Sequence, residues 1–449
     1  MNSKQTRRAF LSAAGASAAT FTILKSGSAR TYTANEKLNV AHIGGGGRAG
    51  SNLRGTSSEN IVAICDVDWQ RAAEGFATYP RAHRYRDYRV MLDELDQQID
   101  AVVVSTPDHS HFPAAMAAIG RGKHVYCEKP LTHSVWEART LTQAARKAGV
   151  ATQMGNQAQA DKDTRIIQEY IIDNAVGPVT EAHIWTDRPS RGLFGEYWPQ
   201  GVTRPADAPP VPDTMDWDLW LGPAPERPWN PAYAPFNWRG WWDFGTGALG
   251  DMGCHYFDPV YRALKLSAPE TVEAVSTRVN EETYPLGSMV TFRFAERENM
   301  PAVTVKWYDG GLRPERPAAL QEGDVMGANG VMLVGTEGIL MTPWGEPWEM
   351  FPRQLGLDYG KPPEVLQRSP GHHEEWVAAC KGGPSAGSNF DWAGPLTEGV
   401  LLGNIALRSQ LRDDLTGKRL HWDSQQMRFT NHEAANTFLR RDYRDGWGI

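Results

Sequence analysis

Gly44, Gly45, Gly46, Gly47, Arg48, Ala49 and Gly50 follow the apolar run 38–43 and lead into a helical stretch. Glycine at a strand-to-helix turn lets a pyrophosphate approach the amide N–H groups of a helix N-terminus, where a side chain would block contact. Two registers satisfy the pattern: Gly45, Gly47 and Gly50 as GxGxxG, or Gly44, Gly46 and Ala49 as GxGxxA. A second apolar run, 61–64, ends at Cys65 and Asp66, and Asp66 lies nineteen residues beyond Gly47. That spacing suits a carboxylate accepting hydrogen bonds from an adenosine ribose. A carboxylate there repels a 2′-phosphate, so the reading favours NAD, with NADP kept open by Arg48 and Arg71.

The elements that must position these groups alternate strand and helix. Continuous apolar runs at 101–105, 124–127 and 151–154 are separated by helical stretches at 112–120 and 134–147. Continuous rather than alternating apolar strands imply a parallel sheet covered on both faces, whose ligands sit at the strand carboxyl ends. The residues leaving those ends are Thr106, Pro107, Asp108, His109, Ser110 and His111, then Glu128, Lys129 and Pro130, then Asn156 and Gln157. The expected cofactor set is Gly44, Gly46, Gly47, Arg48, Ala49, Asp66, Thr106, Pro107, His111, Glu128, Lys129 and Asn156.

With residues 43–50, 65–68, 106–111, 122–130 and 250–255 in this order, the chain resembles the Gfo/Idh/MocA oxidoreductase family. The resemblance implies an α/β protein: an N-terminal Rossmann dinucleotide-binding domain, then a C-terminal α/β domain with an open, mostly antiparallel sheet, and an active site between them. The boundaries expected are 1–34 for a leader, 35–155 for the Rossmann domain and 156–449 for the substrate and oligomerisation domain. The family uses the Lys of Glu-Lys-Pro and an Asp and a His four residues apart, which here are Lys129, Asp251 and His255. It also implies a homo-oligomer through the open sheet. Ala49 stands where many relatives have Gly, and the Trp/Pro-rich stretch around 185–245 is elaborated, so substrate contacts there do not transfer.

Removing hydride from a carbinol carbon requires loss of the hydroxyl proton, and His255 is the natural acceptor. Asp251, one helical turn earlier if 249–264 is helical, could orient the imidazole or bind a neighbouring hydroxyl. Lys129 would favour a developing alkoxide. The expected substrate contacts are Lys129, Asn156, Asp251, His255 and Trp241. His372, His373 and Glu374 lack HExxH spacing, so no catalytic metal is expected, with Asp251, His255 and Asp258 as the remaining candidate set.

The composition bounds the substrate. Net charge of −7 in 449 residues provides no field for nucleic acid. There are 17 Trp against 14 Tyr and 14 Phe. Only Trp69 and Trp136 lie in the nucleotide half, so the excess belongs to the substrate side, where indoles suit the apolar faces of sugars. The four cysteines show neither CxxC nor zinc spacing and read as buried thiols.

Thr6, Arg7, Arg8, Ala9, Phe10 and Leu11, followed by small residues, resemble a twin-arginine export signal. The expectation is a periplasmic or otherwise exported protein with no stable membrane insertion. Lacking an external nucleotide pool, such an enzyme should hold its cofactor and restore its redox state each cycle. Two chemistries follow: coupled oxidoreduction of sugars or polyols, and glycoside hydrolysis through transient oxidation, elimination and water addition. A non-catalytic carbohydrate-binding protein is the alternative from another class. Residues 431–447, polar and aromatic, are expected to pack on a neighbour.

Overall fold

The computed structural model describes residues 36–191, 195–408 and 417–448, and the expected export signal lies outside them. Strands β1 (Asn39–Ile43), β2 (Asn60–Cys65), β3 (His83–Tyr85), β4 (Ala101–Val104), β5 (His124–Glu128) and β6 (Thr152–Gly155) form a parallel sheet. Its order is β3-β2-β1-β4-β5-β6. Val40, Ala41, Val102, Val103, Val125 and Tyr126 are all fully buried, as strands covered on both faces require.

Helices His111–Gly120 and Val135–Ala148 cover one face. The second of these starts in a capping box, Ser134 with Glu137, and stops at left-handed Gly149. The other face packs on Trp376, Cys380 and Ala386, so helix His372–Cys380 returns to the nucleotide half from late in the chain.

Register brings the site together. Ile43 pairs with both Cys65 and Val104, and Val104 with Cys127. Gly44, Asp66, Ser105 and Glu128 therefore meet at one edge, and the reversal of strand order at β1/β4 opens a crevice there.

The second sheet contains β7 (Val179–Trp185), β10 (Thr271–Ser276), β11 (Ser288–Phe294), β12 (Val303–Tyr308), β13 (Gly330–Gly335), β14 (Ile339–Pro343), β15 (Glu349–Phe351), β16 (Leu420–Asp423) and β17 (Arg428–Phe429). A small hairpin, β8 (Ser190–Arg191) with β9 (Gly195–Glu196), stands apart. The nine strands run β15-β14-β13-β7-β12-β11-β10-β16-β17, antiparallel except where β7 meets β12. Along β11, Val290, Phe292 and Phe294 are buried and alternate with half-buried residues, the pattern of a sheet with one face in the core. That face packs on helix Phe390–Arg408, which also lies against helices Val135–Ala148 and Gly247–Ala263. One apolar core thus runs through both domains. Pro395 sits inside the Phe390–Arg408 helix.

The insertion has its own apolar cluster of Trp220, Leu221, Tyr233, Trp238, Trp241 and Phe244. It docks beside the glycine turn: Trp69 N–H donates to the Thr214 carbonyl at 3.1 Å and Asp216 N–H to the Val67 carbonyl at 2.9 Å. The tail does not wait for a neighbour. Trp136 N–H donates to the Leu439 carbonyl at 3.0 Å, and Arg441 pairs with buried Glu137 at 2.9 Å. A buried carboxylate needs such a partner, so residues of the 431–447 stretch, expected to pack on a neighbour, make contacts within their own chain.

Candidate active site

A cavity of about 620 Å³ runs between the domains, from Asp66 and the glycine turn to His255. At the first end the wall is mainly backbone. Gly44 has φ +103°, and a Cβ there would lie 2.7 Å from the Ser105 carbonyl oxygen; at Gly46 it would lie 2.3 Å from that of Arg71. A Cβ at Gly50 would meet nothing closer than 3.7 Å. Gly45 and Gly47 are as crowded, so the third position decides: the room at Gly50 and the full burial of Ala49 favour the Gly44, Gly46, Ala49 register.

Ala49 itself is fully buried and lies behind the wall, where its small side chain lets the helix approach β1. Its assignment to direct cofactor contact is corrected to packing. Asp66 accepts N–H bonds from Gly45 at 2.8 Å and Asp68 at 2.9 Å. Burial raises its pKa against those two bonds. Arg71 overhangs the turn, with its guanidinium 2.4 Å from where a Gly47 Cβ would stand.

Thr106, Pro107, Arg48 and Glu128 line the next stretch. Glu128 Oε1 accepts from Arg48 Nε at 3.0 Å, Asn52 Nδ2 at 2.9 Å and Gln157 Nε2 at 3.0 Å. Burial opposes its ionisation, but the Arg48 charge and these donors prevail and lower its pKa. Thr106 Oγ1 is buried without a hydrogen-bond partner.

Two expected contacts are absent from the wall. His111 is buried, its ring nitrogens 2.7 Å from the Pro130 carbonyl and 2.8 Å from that of Thr106, so it braces the two strand-end loops. Asn156 is buried with neither amide atom hydrogen-bonded, whereas its neighbour Gln157 lines the cavity.

At the far end the helix Gly247–Ala263 presents Asp251 and His255 to the cavity. Gly253 lets it sit close to the Phe390–Arg408 helix, since a Cβ there would be 3.1 Å from Val400, and Gly250 leaves room for the helix's own N-cap residue Thr246, whose Oγ1 would be 2.1 Å from a Cβ. Lys129 Nζ donates to the Asp251 carbonyl at 2.6 Å and to its Oδ1 at 2.7 Å. Arg239 Nε donates to the same Oδ1 at 3.1 Å. Burial works against the Asp251 charge, but the Lys129 and Arg239 cations prevail and hold its pKa far below the usual range. Asp251 is thus spent on two cations rather than on orienting the imidazole. Burial, reinforced by the Lys129 charge, lowers the His255 pKa to about 3, leaving the ring neutral with Nδ1 free of any hydrogen-bond partner.

The aromatic wall corrects the tryptophan expectation. Trp241 is 1% exposed, and its Nε1 donates to the Ala232 carbonyl at 2.9 Å; it belongs to the insertion's core. The lining tryptophans are Trp198, Trp220, Trp238, Trp344 and Trp447. Arg188 stacks 3.6 Å from the Tyr197 ring centroid, and Arg239 lies 4.2 Å from both Phe236 and Trp238. These residues carry no local motif; the insertion's aromatic density points to those within it, and nothing local marks Trp344 or Trp447. Among the described residues no cluster of three or more His, Cys, Asp or Glu could hold a metal ion, and no helix is long and apolar enough to cross a membrane.

Comparison with known proteins joins the two halves. Residues 38–156 match the Gfo/Idh/MocA family model for the NAD-binding Rossmann fold, and 194–297 match its C-terminal α/β domain. The chain belongs to the Gfo/Idh/MocA oxidoreductase family. It is 28% identical over 32% of its length to glucose-6-phosphate 3-dehydrogenase of Bacillus subtilis, covering 40% of that protein. To 1,5-anhydro-D-fructose reductase of Ensifer adhaerens it is 33% identical over 30% of its length, covering 39% of that protein. The chain thus spans about two fifths of these curated relatives. The fold is shared more widely: the WlbA dehydrogenase of Bordetella pertussis, solved with NADH and UDP-GlcNAcA, superposes with a TM-score of 0.59 at 16% identity. That alignment covers 86% of this chain and 99% of WlbA.

Proposed function

We propose that this family member is an NAD-dependent oxidoreductase acting at a CH–OH group of a sugar, polyol or glycoside, with the nucleotide held and recycled within the protein. One observation carries the reading: a single cavity connects the glycine turn and Asp66 to Lys129, Asp251 and His255. The residues present fit NAD. Side chains are excluded from the turn at Gly44 and Gly46, Thr106 Oγ1 is unpartnered, and Asp66 has lone pairs left for a ribose. Its carboxylate disfavours a 2′-phosphate, while Arg71 beside the turn leaves NADP as the lesser choice.

NAD, when bound, supplies the hydride acceptor and donor. His255, neutral and unpartnered, takes the hydroxyl proton. Lys129 holds positive charge beside the oxygen that becomes alkoxide, which low local dielectric strengthens. Asp251 fixes Lys129 in that position. Trp344, half exposed at the cavity wall, offers flat apolar surface to a ring. The names of the relatives, dehydrogenases and reductases of sugars, support that substrate class.

Export by the twin-arginine route belongs to the same proposal, supported by Arg7 and Arg8 followed by small residues. So does a homo-oligomer through the open sheet, as the family resemblance suggests. Fractionation and the mass of the purified protein in solution test these two.

The deciding experiment denatures the purified protein, identifies any released nucleotide, and incubates intact protein with sugars and glycosides without added cofactor. Near-stoichiometric NAD with transient reduction by a sugar supports the proposal. Release of an aglycone assigns the hydrolytic cycle instead. Protein free of nucleotide and unable to retain it rejects the proposal, and leaves the carbohydrate-binding alternative.

A further inference from the structure

We infer that the C-terminal tail completes an adenine-binding subsite in which Trp447 is the outer wall. The inference rests on reading the cleft as a nucleotide site. Beyond Asp66 the cavity is walled by Val67, Tyr88, Met215, Leu219 and Trp447, flat or apolar surfaces brought from three distant stretches of chain. An adenine needs such surfaces against its two faces. Nothing in the second sheet requires a tryptophan here, because its last strand ends at Phe429.

The tail is held from both sides of the cleft. Arg89 of the Rossmann domain lies over the Trp447 indole at 4.2 Å, and Tyr88 meets it at a tilted 6.3 Å. Arg444 reaches the insertion: its backbone N–H donates to the Pro223 carbonyl at 3.2 Å. Its side chain donates to the Gly222 carbonyl at 3.1 Å and the Asp218 carbonyl at 2.8 Å, and it pairs with the Asp218 carboxylate. Trp447 N–H then donates to the Arg444 carbonyl at 3.0 Å. Insertion, Rossmann loop and tail are thereby tied into one rim. A nucleotide so enclosed would leave slowly, as an enzyme without an external pool needs.

The test loads full-length protein with NAD, dilutes it into excess ADP-ribose, and reads the NAD remaining after rapid gel filtration. Trp447→Ala and Arg444→Ala are expected to release NAD roughly 10- to 100-fold faster, the range that loss of a base-stacking surface implies, while Trp447→Phe stays near wild type. Binding of nicotinamide mononucleotide, which lacks adenine, is expected to be unchanged. Equal release rates in Trp447→Ala and wild type overturn the inference. So does equal loss of nicotinamide mononucleotide, which would mark general damage. Wild-type protein that retains no NAD overturns the nucleotide reading itself, a distinguishable result.

Discussion

At the glycine turn the ligand surface is mostly main chain: glycines whose Cβ atoms have no room and strand ends aligned by register. At the His255 end it is mostly side chain, with Lys129, Asp251, Arg239 and His255 supplied by two domains and an insertion. A backbone surface is fixed by local geometry and tolerates almost no substitution. A side-chain surface is fixed by charge pairing across the fold, so it can lose one member and keep its shape. The two ends should therefore fail differently.

The largest expected effect comes from Gly46→Val. Its Cβ would fall 2.3 Å from the Arg71 carbonyl oxygen, so the turn must move, and bound nucleotide should drop to background in the released-nucleotide assay. If Gly46→Val protein retained NAD, the backbone account of that end would be wrong. His255→Gln comes next, with an expected fall in turnover of about 10²- to 10⁴-fold, as for loss of a general base, and unchanged nucleotide content. With its pKa near 3, His255 is proton-free across pH 5 to 8, and the acid limb of kcat/KM should lie below pH 5. Burial is the main cause of that lowering and the Lys129 charge the second. Lys129→Met removes the second and should shift whatever acid limb survives to higher pH. A limb near pH 6.5 in the wild type would contradict the neutral assignment.

Asp66→Asn should act more mildly. An asparagine has one acceptor oxygen where the carboxylate uses two, leaving one backbone N–H unpaired and removing the repulsion toward a 2′-phosphate. We expect about tenfold weaker NAD retention, since an unpaired buried donor costs about 1–3 kcal/mol, together with a narrower preference over NADP. An unchanged NAD-to-NADP ratio would remove Asp66 from ribose recognition.

The same division governs what the residues reveal before folding. The Rossmann order, the strand-end positions and the carboxylate after β2 follow from short-range patterns, because turn, strand and helix N-terminus lie within about thirty residues. Even there, Asn156 and Gln157 are adjacent, and only the backbone at the end of β6 decides which one faces the cavity. Arg188, Arg239, Tyr197 and Trp344 reach the site through long-range docking of irregular chain, and no periodicity marks them. The tail's partners are hidden from the sequence for the same reason: Glu137, Asp218 and Tyr88 are hundreds of residues away.

The smallest effect tests the tryptophans, where composition pointed to the right domain and the wrong residue. Trp241 donates to the Ala232 carbonyl from within the insertion's core, so Trp241→Phe leaves a buried acceptor unpaired and a smaller ring among its neighbours. A loss of about 1–3 kcal/mol is expected in urea unfolding, with the sugar KM unchanged. Trp344 is 46% exposed, with one face on Tyr256 at 4.3 Å and part of its surface lining the cavity. Trp344→Ala should do the reverse, raising the sugar KM severalfold while stability moves by less than about 1 kcal/mol. If instead Trp241→Phe raised KM and Trp344→Ala did not, the sugar would bind against the insertion's core, and the reacting end would have to be rebuilt around it.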